Sequence, residues 1–196
     1  MVLDRLAAEL GTSPTPVREA LARLIQEGLI VAGANGRLQV IDLTPEYVLD
    51  TFAVRAALEG LAAELAADRM DERLLCRLQQ VIDEATAALA DGRYEVYAQA
   101  DDFLHRSVAE AAGNRVLSRN LTMLRVHVGF ILGYSHRNIG HHLRASHAEH
   151  LRIMAALRAR DPAGAHRAME DHIRAAGQRI AELIDFTGRI SRTKEG

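Results

Sequence analysis

Asp101 and His105 stand four residues apart, a spacing that sets two side chains on one face of a helix. They fall in a run where Tyr94, Tyr97, Asp101, Leu104 and Val108 follow at steps of three and four, the period of a helical face turned to a core. Two later runs carry the same anomaly. Leu143, His147, His150, Met154 and Leu157 make one such stripe, and Ala165, Met169, His172, Ala176 and Ile180 make another. Burying a carboxylate is costly unless it is paired or ligated. One carboxylate and several imidazoles converging from three helices can be satisfied by a divalent cation. Mixed nitrogen and oxygen ligation suits zinc, nickel, manganese or iron. A plainer reading fits the same residues: each histidine is a hydrogen-bonded core residue, Asp101 pairs with His105, and Asp102 pairs with Arg106 on a solvated face. Pattern alone leaves both open.

Other reactive residue types offer less. Cys76 lies in a leucine-rich helical segment without a histidine at nucleophile spacing, and is read as buried filler. Being the single cysteine, it excludes an internal disulfide framework and fits a reducing cytosol. Gly33-Ala34-Asn35-Gly36 reads as a hairpin, not a phosphate loop, and no serine nucleophile elbow occurs. His127, His136, His141, His142 and His166 occupy no comparable positions and are read as surface residues.

The elements that must position these side chains are mostly helical. The 196 residues are 48% hydrophobic but only 4% aromatic, without tryptophan, so alanine and leucine fill the core, and both favour helices. The net charge of −2 points by itself to neither a polyanion nor a membrane surface. Apolar runs fall short of a membrane span, and Asp4 and Arg5 interrupt the place of a signal peptide; a cytoplasmic protein is expected. Residues 3–10 read as a short helix stopped by Gly11. Thr12-Ser13-Pro14-Thr15-Pro16 turns into a second helix reaching about Glu27. Leu29-Ile30-Val31 and Leu38-Gln39-Val40-Ile41 flank Asn35-Gly36, a hairpin signal. From Pro45 onward six helices are expected, near 45–67, 71–90, 93–112, 115–134, 139–160 and 163–187. Their short connections imply an antiparallel bundle. The fold class is therefore mainly α: a small helix-turn-helix with a wing, then an all-helical bundle.

Two stretches together resemble a known family. Thr15-Pro16-Val17-Arg18-Glu19-Ala20-Leu21, with Leu24, Glu27-Gly28-Leu29 and the Asn35-Gly36 wing, is similar to the GntR family of bacterial regulators. The remainder resembles the FCD effector domain of its FadR subfamily. The marks are Arg55 with Glu59, Asp101 and Phe103 with His105, Ala112-Gly113-Asn114, Glu149-His150, and Arg160-Asp161 followed by His172. The resemblance implies a winged helix-turn-helix DNA-binding domain at 1–43 and a helical effector-binding and dimerisation domain at 44–190. It also implies a divalent metal on Asp101, His105, His150 and His172, with His147 as an extra imidazole beside the effector. The expected effector is a small organic acid. Arg55 is a candidate second contact for its carboxylate because it borders a Val54/Leu58 stripe; the alternative is a surface pair with Glu59.

The expected partners are operator DNA, that effector and a second copy of the chain, with no membrane. Thr15 and Arg18, near the start of the second helix, are expected in the major groove, Arg23 on a phosphate, and Arg37 on the backbone or in the minor groove. Three departures accompany the resemblance. The family's DNA-binding domain has a helix ahead of the one that begins this sequence, so the domain is expected to be incomplete. Ser13-Pro14-Thr15-Pro16 lacks the arginine of the usual Ser-Arg-Thr-Pro. Asp4 replaces a basic residue, and residues 1–43 hold four arginines against five acids, a poor electrostatic footprint for DNA. A ligand-responsive regulator is the leading expectation, followed by a sensor module without DNA binding of its own. A metalloenzyme comes third, since no general base accompanies the site.

Overall fold

Capping residues mark where the helices begin. The computed structural model describes residues 2–33, 36–135 and 140–193, and it divides into two compact units, Met1–Leu43 and Thr44–Gly196. In the first, helix α1 (Val2–Glu9) and helix α2 (Pro14–Gln26) are followed by strands β1 (Ile30–Ala32) and β2 (Leu38–Val40). The strands pair antiparallel with Ile30 opposite Val40 and Ala32 opposite Leu38. Asn35 of the expected turn lies outside the described residues. Ser13 flanks α2 in an extended conformation, and Pro14 takes the first helical position, where a missing N–H costs nothing. At the other end Gly28, at φ +79°, lets the Leu29 N–H donate back to the Leu24 carbonyl. Only glycine takes that left-handed turn without penalty. Ala7, Val17, Leu29 and Ile30 form the small core, while Leu10, Leu38 and Val40 are more than half exposed.

The second unit contains α3 (Pro45–Arg69), α4 (Glu72–Ala90), α5 (Tyr94–Ala111), α6 (Arg115–Ser135), α7 (Gly140–Arg158) and α8 (Pro162–Thr193). Side-chain caps start three of them. Thr44 accepts from the Tyr47 N–H at 3.2 Å, and Asp71 from the Leu74 N–H at 2.7 Å. Asn114 accepts from the N–H groups of Val116 and Leu117, both at 3.1 Å. Helix α3 is central, touching α5, α6, α7 and α8. Its sequence explains this: Val48, Phe52, Ala56, Ala62, Ala63, Ala66 and Ala67 are buried around much of its circumference, and a helix apolar on several faces must be enclosed. Small residues let its neighbours come close. A Cβ built on Gly177 of α8 would stand 2.6 Å from the Cβ of Phe52, so the two backbones meet where only glycine fits.

Arg160 ties the far end of the unit together. It has a positive φ of 51°, and its guanidinium donates to the carbonyls of Ala67 and Met70 at the end of α3 and to Glu72 of α4. Those carbonyls belong to the last turn of a helix and have no intrahelical partner. Among the described residues no helix is long and apolar enough to cross a membrane.

Some sequence expectations need correction. Cys76 is exposed, since it falls on the outer side of α4 while Leu75 and Leu78 face inward. Tyr94 is also exposed, because it opens α5 before the core begins. His127 is half-buried and hydrogen-bonds Tyr47 of α3, and His166 is half-buried between Glu64 and Glu170. His136 lies outside the described residues.

Candidate metal centre and its cavity

Helices α5, α7 and α8 each bring an imidazole to one point. Asp101, His105, His150 and His172 each offer one ligand atom, and these atoms all lie within 4.8 Å of one another. His150 Nε2 stands 3.3 Å from Asp101 Oδ1 and 3.2 Å from His172 Nε2, and His105 Nε2 lies 3.8 Å from Asp101 Oδ1. Ligands at about 2.0–2.2 Å from a common ion stand at most about 4.4 Å apart, so a small contraction would close this group around one cation. The three histidines are buried.

The opposite nitrogen of each ring is held from outside. His105 Nδ1 donates to Glu59 of α3, and His172 Nδ1 donates to Glu149 Oε2 of α7 at 2.8 Å. His150 Nδ1 lies 3.5 Å from the Tyr97 hydroxyl, with the two rings stacked. An ionised carboxylate only accepts, so His105 and His172 carry their proton on Nδ1 and turn the Nε2 lone pair inward. Burial alone would raise the Glu59 carboxyl, but Arg55 and His105 outweigh it and hold it at about 2. Glu149 follows the same balance: burial opposes ionisation, while His172 and Arg179 hold it at about 2. Burial pushes His172 down to about 3, so it stays neutral, the form that ligates. Asp101 is held well below the usual carboxylate range, with burial opposed first by the His150 hydrogen bond and then by the imidazoles grouped around it.

One atom tests the fit to a metal. His105 Nε2 is buried and has no hydrogen-bond partner among the described residues. A buried acceptor without a partner is costly, and this one points at the other three ligand atoms. The donor set and its outer carboxylates therefore suit a divalent cation such as zinc, nickel or manganese.

A cavity of about 470 Å³ adjoins this centre, within the usual range for small ligands. Asp101 and His105 line it, and Asp101 keeps about a third of its side chain accessible. The open side of the centre thus faces the cavity. Arg55 also lines it, but not from a Val54/Leu58 stripe, because Val54 is exposed. Its guanidinium donates to Glu59 Oε1 at 2.6 Å with both side chains nearly enclosed, so the pair is buried beneath His105 instead of lying on the surface. His147 does not line the cavity. It is hydrogen-bonded to Thr86 at 2.7 Å, and its ring meets the edge of Tyr97. Asp102 pairs with Arg106, as its spacing suggested, and also with Arg125 of α6. Arg179 escaped sequence reasoning, although its place seven residues after His172 sets it on the same face of α8.

In the first unit Thr15 and Arg18 are exposed on the first turns of α2. Arg18 forms no ion pair among the described residues, whereas Arg23 is paired with Glu27 at 2.8 Å. Arg37 is exposed beside the β1–β2 turn.

The chain is similar to known proteins over both units. The family profile for the FCD domain matches residues 50–175, and that for bacterial regulatory proteins of the gntR family matches residues 2–40. A probable D-xylose utilization operon transcriptional repressor of Paenarthrobacter nicotinovorans is 33% identical over 87% of this chain and 74% of its own length. Escherichia coli McbR/YncC superposes with a TM-score of 0.75 at 25% identity, over 94% of this chain and 86% of its own. The metal-free FCD domain of TM0439 shares the fold, with a TM-score of 0.63 at 16% identity, over 74% of this chain and 99% of its own.

Proposed function

Because the chain belongs to the GntR family of bacterial transcriptional regulators and carries an FCD effector domain, we propose that its DNA binding answers to a small organic acid held at a divalent metal. These are the domains of regulators, not of enzymes. The proposal rests above all on the convergence of Asp101 and three imidazoles whose outer nitrogens are already engaged. A cation on those four residues would supply open coordination positions to a carboxylate entering the cavity. Arg55 lines the same cavity and is the second contact proposed for that carboxylate, while it also fixes Glu59 behind His105. His147 acts more remotely, by supporting the Tyr97 ring that stacks on His150. Residues 1–43 form the DNA-binding domain in this reading, and residues 44–190 sense the effector and join two copies, in the cytoplasm. A dimer matches the two-fold symmetry usual in operators.

Operator contact runs through α2, with Thr15 and Arg18 in the major groove, Arg23 on a phosphate and Arg37 at the wing. Arg18→Ala is expected to weaken binding to the region upstream of the chain's own gene by about tenfold or more. A gel shift across a salt series checks this: losing a base contact lowers affinity at every salt concentration, whereas losing a phosphate contact also flattens the salt slope. Unchanged affinity and slope would remove α2 as the reading helix. The net acidity of residues 1–43 favours a second reading, a sensor module without DNA binding of its own. Absence of any shift with wild-type protein, with or without organic acids, would select it.

A further inference from the structure

Two arginines stand behind the centre, and they differ in one respect. In each case a guanidinium donates to a carboxylate that accepts from the Nδ1 of a ligand imidazole. Arg55, Glu59 and His105 form one such line, and Arg179, Glu149 and His172 form the other. Arg55 and Glu59 lie one turn apart on α3, so that pair fixes no distance between helices. Arg179 lies on α8, and both its acceptors lie on α7. Its Nη1 donates to Glu149 Oε1 at 2.8 Å, and its Nη2 to Glu149 Oε2 at 2.8 Å and to Ser146 Oγ at 2.9 Å. Ser146 and Glu149 are three residues apart, so one planar guanidinium spans neighbouring positions on one face of α7. Only 18% of the Arg179 side chain and 9% of the Glu149 side chain are exposed, and enclosed pairs are screened little. Two metal ligands flank this contact. His150 follows Glu149 on α7, and His172 lies seven residues, about two turns, before Arg179 on α8. Their Nε2 atoms, one from each helix, stand 3.2 Å apart.

We infer that Arg179 is a positioning residue for the metal: by clamping α7 to α8 it holds His150 and His172 where both can ligate one ion. This rests on the metal reading above and adds a residue that is neither one of the four ligands nor part of the cavity wall. Removing one partner of an enclosed ion pair leaves the other charge uncompensated. Without the guanidinium, Glu149 turns toward water, and the His172 ring that it holds turns with it. A lysine keeps the charge but not the planar fork, so the two Glu149 oxygens and Ser146 are no longer held by one rigid group.

The test is zinc affinity by chelator competition on the full chain, with the visible absorption of Co²⁺-loaded protein as a measure of ligand geometry. Arg179→Met is expected to lower zinc affinity by about 10- to 100-fold and to change the Co²⁺ bands. Arg179→Lys is expected to bind zinc more weakly than wild type as well. Arg174→Met, which removes an exposed pair with Glu170 on the same helix, is expected to leave both readouts unchanged. Thermal melts in excess chelator show which variants fold without metal, and where Arg179→Met does not, Arg179→Lys decides. Wild-type affinity and bands in a folded Arg179→Met protein overturn the inference and leave the metal reading standing. Wild-type values in Arg179→Lys also overturn it, because charge alone would then suffice. Wild-type protein that takes up neither zinc nor Co²⁺ overturns the metal reading and the inference with it.

Discussion

His150→Ala and His172→Ala proteins are expected to retain only background metal after dialysis, where the wild type retains about one divalent ion per subunit. Both residues are almost wholly buried, and each supplies an Nε2 to the cluster. Removing either leaves three ligand atoms and a gap where water enters. An ion held by these residues would also join three helices, so its binding would add directly to folding stability. At a thousand times the dissociation constant that addition is about 4 kcal/mol, roughly a 10 °C rise in the melting temperature of a chain of this size. Elemental analysis and thermal melts with and without added metal read both effects. The variants should melt at one temperature in either condition. Equal metal content in the wild type and both variants would end the metal proposal.

Glu149→Gln should lower metal affinity by about 10- to 100-fold without removing a ligand. The carboxylate accepts from His172 Nδ1 and from both terminal nitrogens of Arg179, all at 2.8 Å. A carboxamide keeps the size but loses the charge, and it turns an NH2 group toward one of these donors. His172 then loses both its fixed orientation and the negative partner that makes its Nε2 a strong donor. Glu170→Gln serves as the control, because Glu170 pairs with Arg174 on the outer side of α8. A chelator competition giving the same affinity for Glu149→Gln, Glu170→Gln and wild type would show that the outer carboxylate does not set the imidazole.

Much of this centre could be read in the sequence because its ligands break a period. A charged or imidazole side chain on an apolar stripe is conspicuous, and Asp101, His150 and His172 were found that way. The helix ends were legible for a similar reason: Thr44-Pro45, Asp71 and Gly113-Asn114 perform local chemistry that does not depend on distant partners. The outer carboxylates were harder to place. Glu59 and Glu149 have ordinary spacing, and what makes them special is a partner 46 or 23 residues away. Arg125 was invisible for the same reason, since its contact with Asp102 crosses from α6 to α5. Cys76 misled because a leucine-rich segment says that a helix has a buried face without saying which residues turn away from it.

Gly177 gives the site a genetic vulnerability that its ligand list does not suggest. Any side chain there would put its Cβ 2.6 Å from the Phe52 Cβ, well inside van der Waals contact, so α8 must move off α3. His172 is five residues earlier on α8, about 7.5 Å along the axis, and Arg179 is two residues later, so both would travel with it. A selection for alleles blind to the proposed effector should therefore recover substitutions such as Gly177→Val alongside changes at Asp101 or the three histidines, and their purified products should bind metal more weakly than wild type. Through this contact, heritable loss of response can arise at a position bearing no functional group at all.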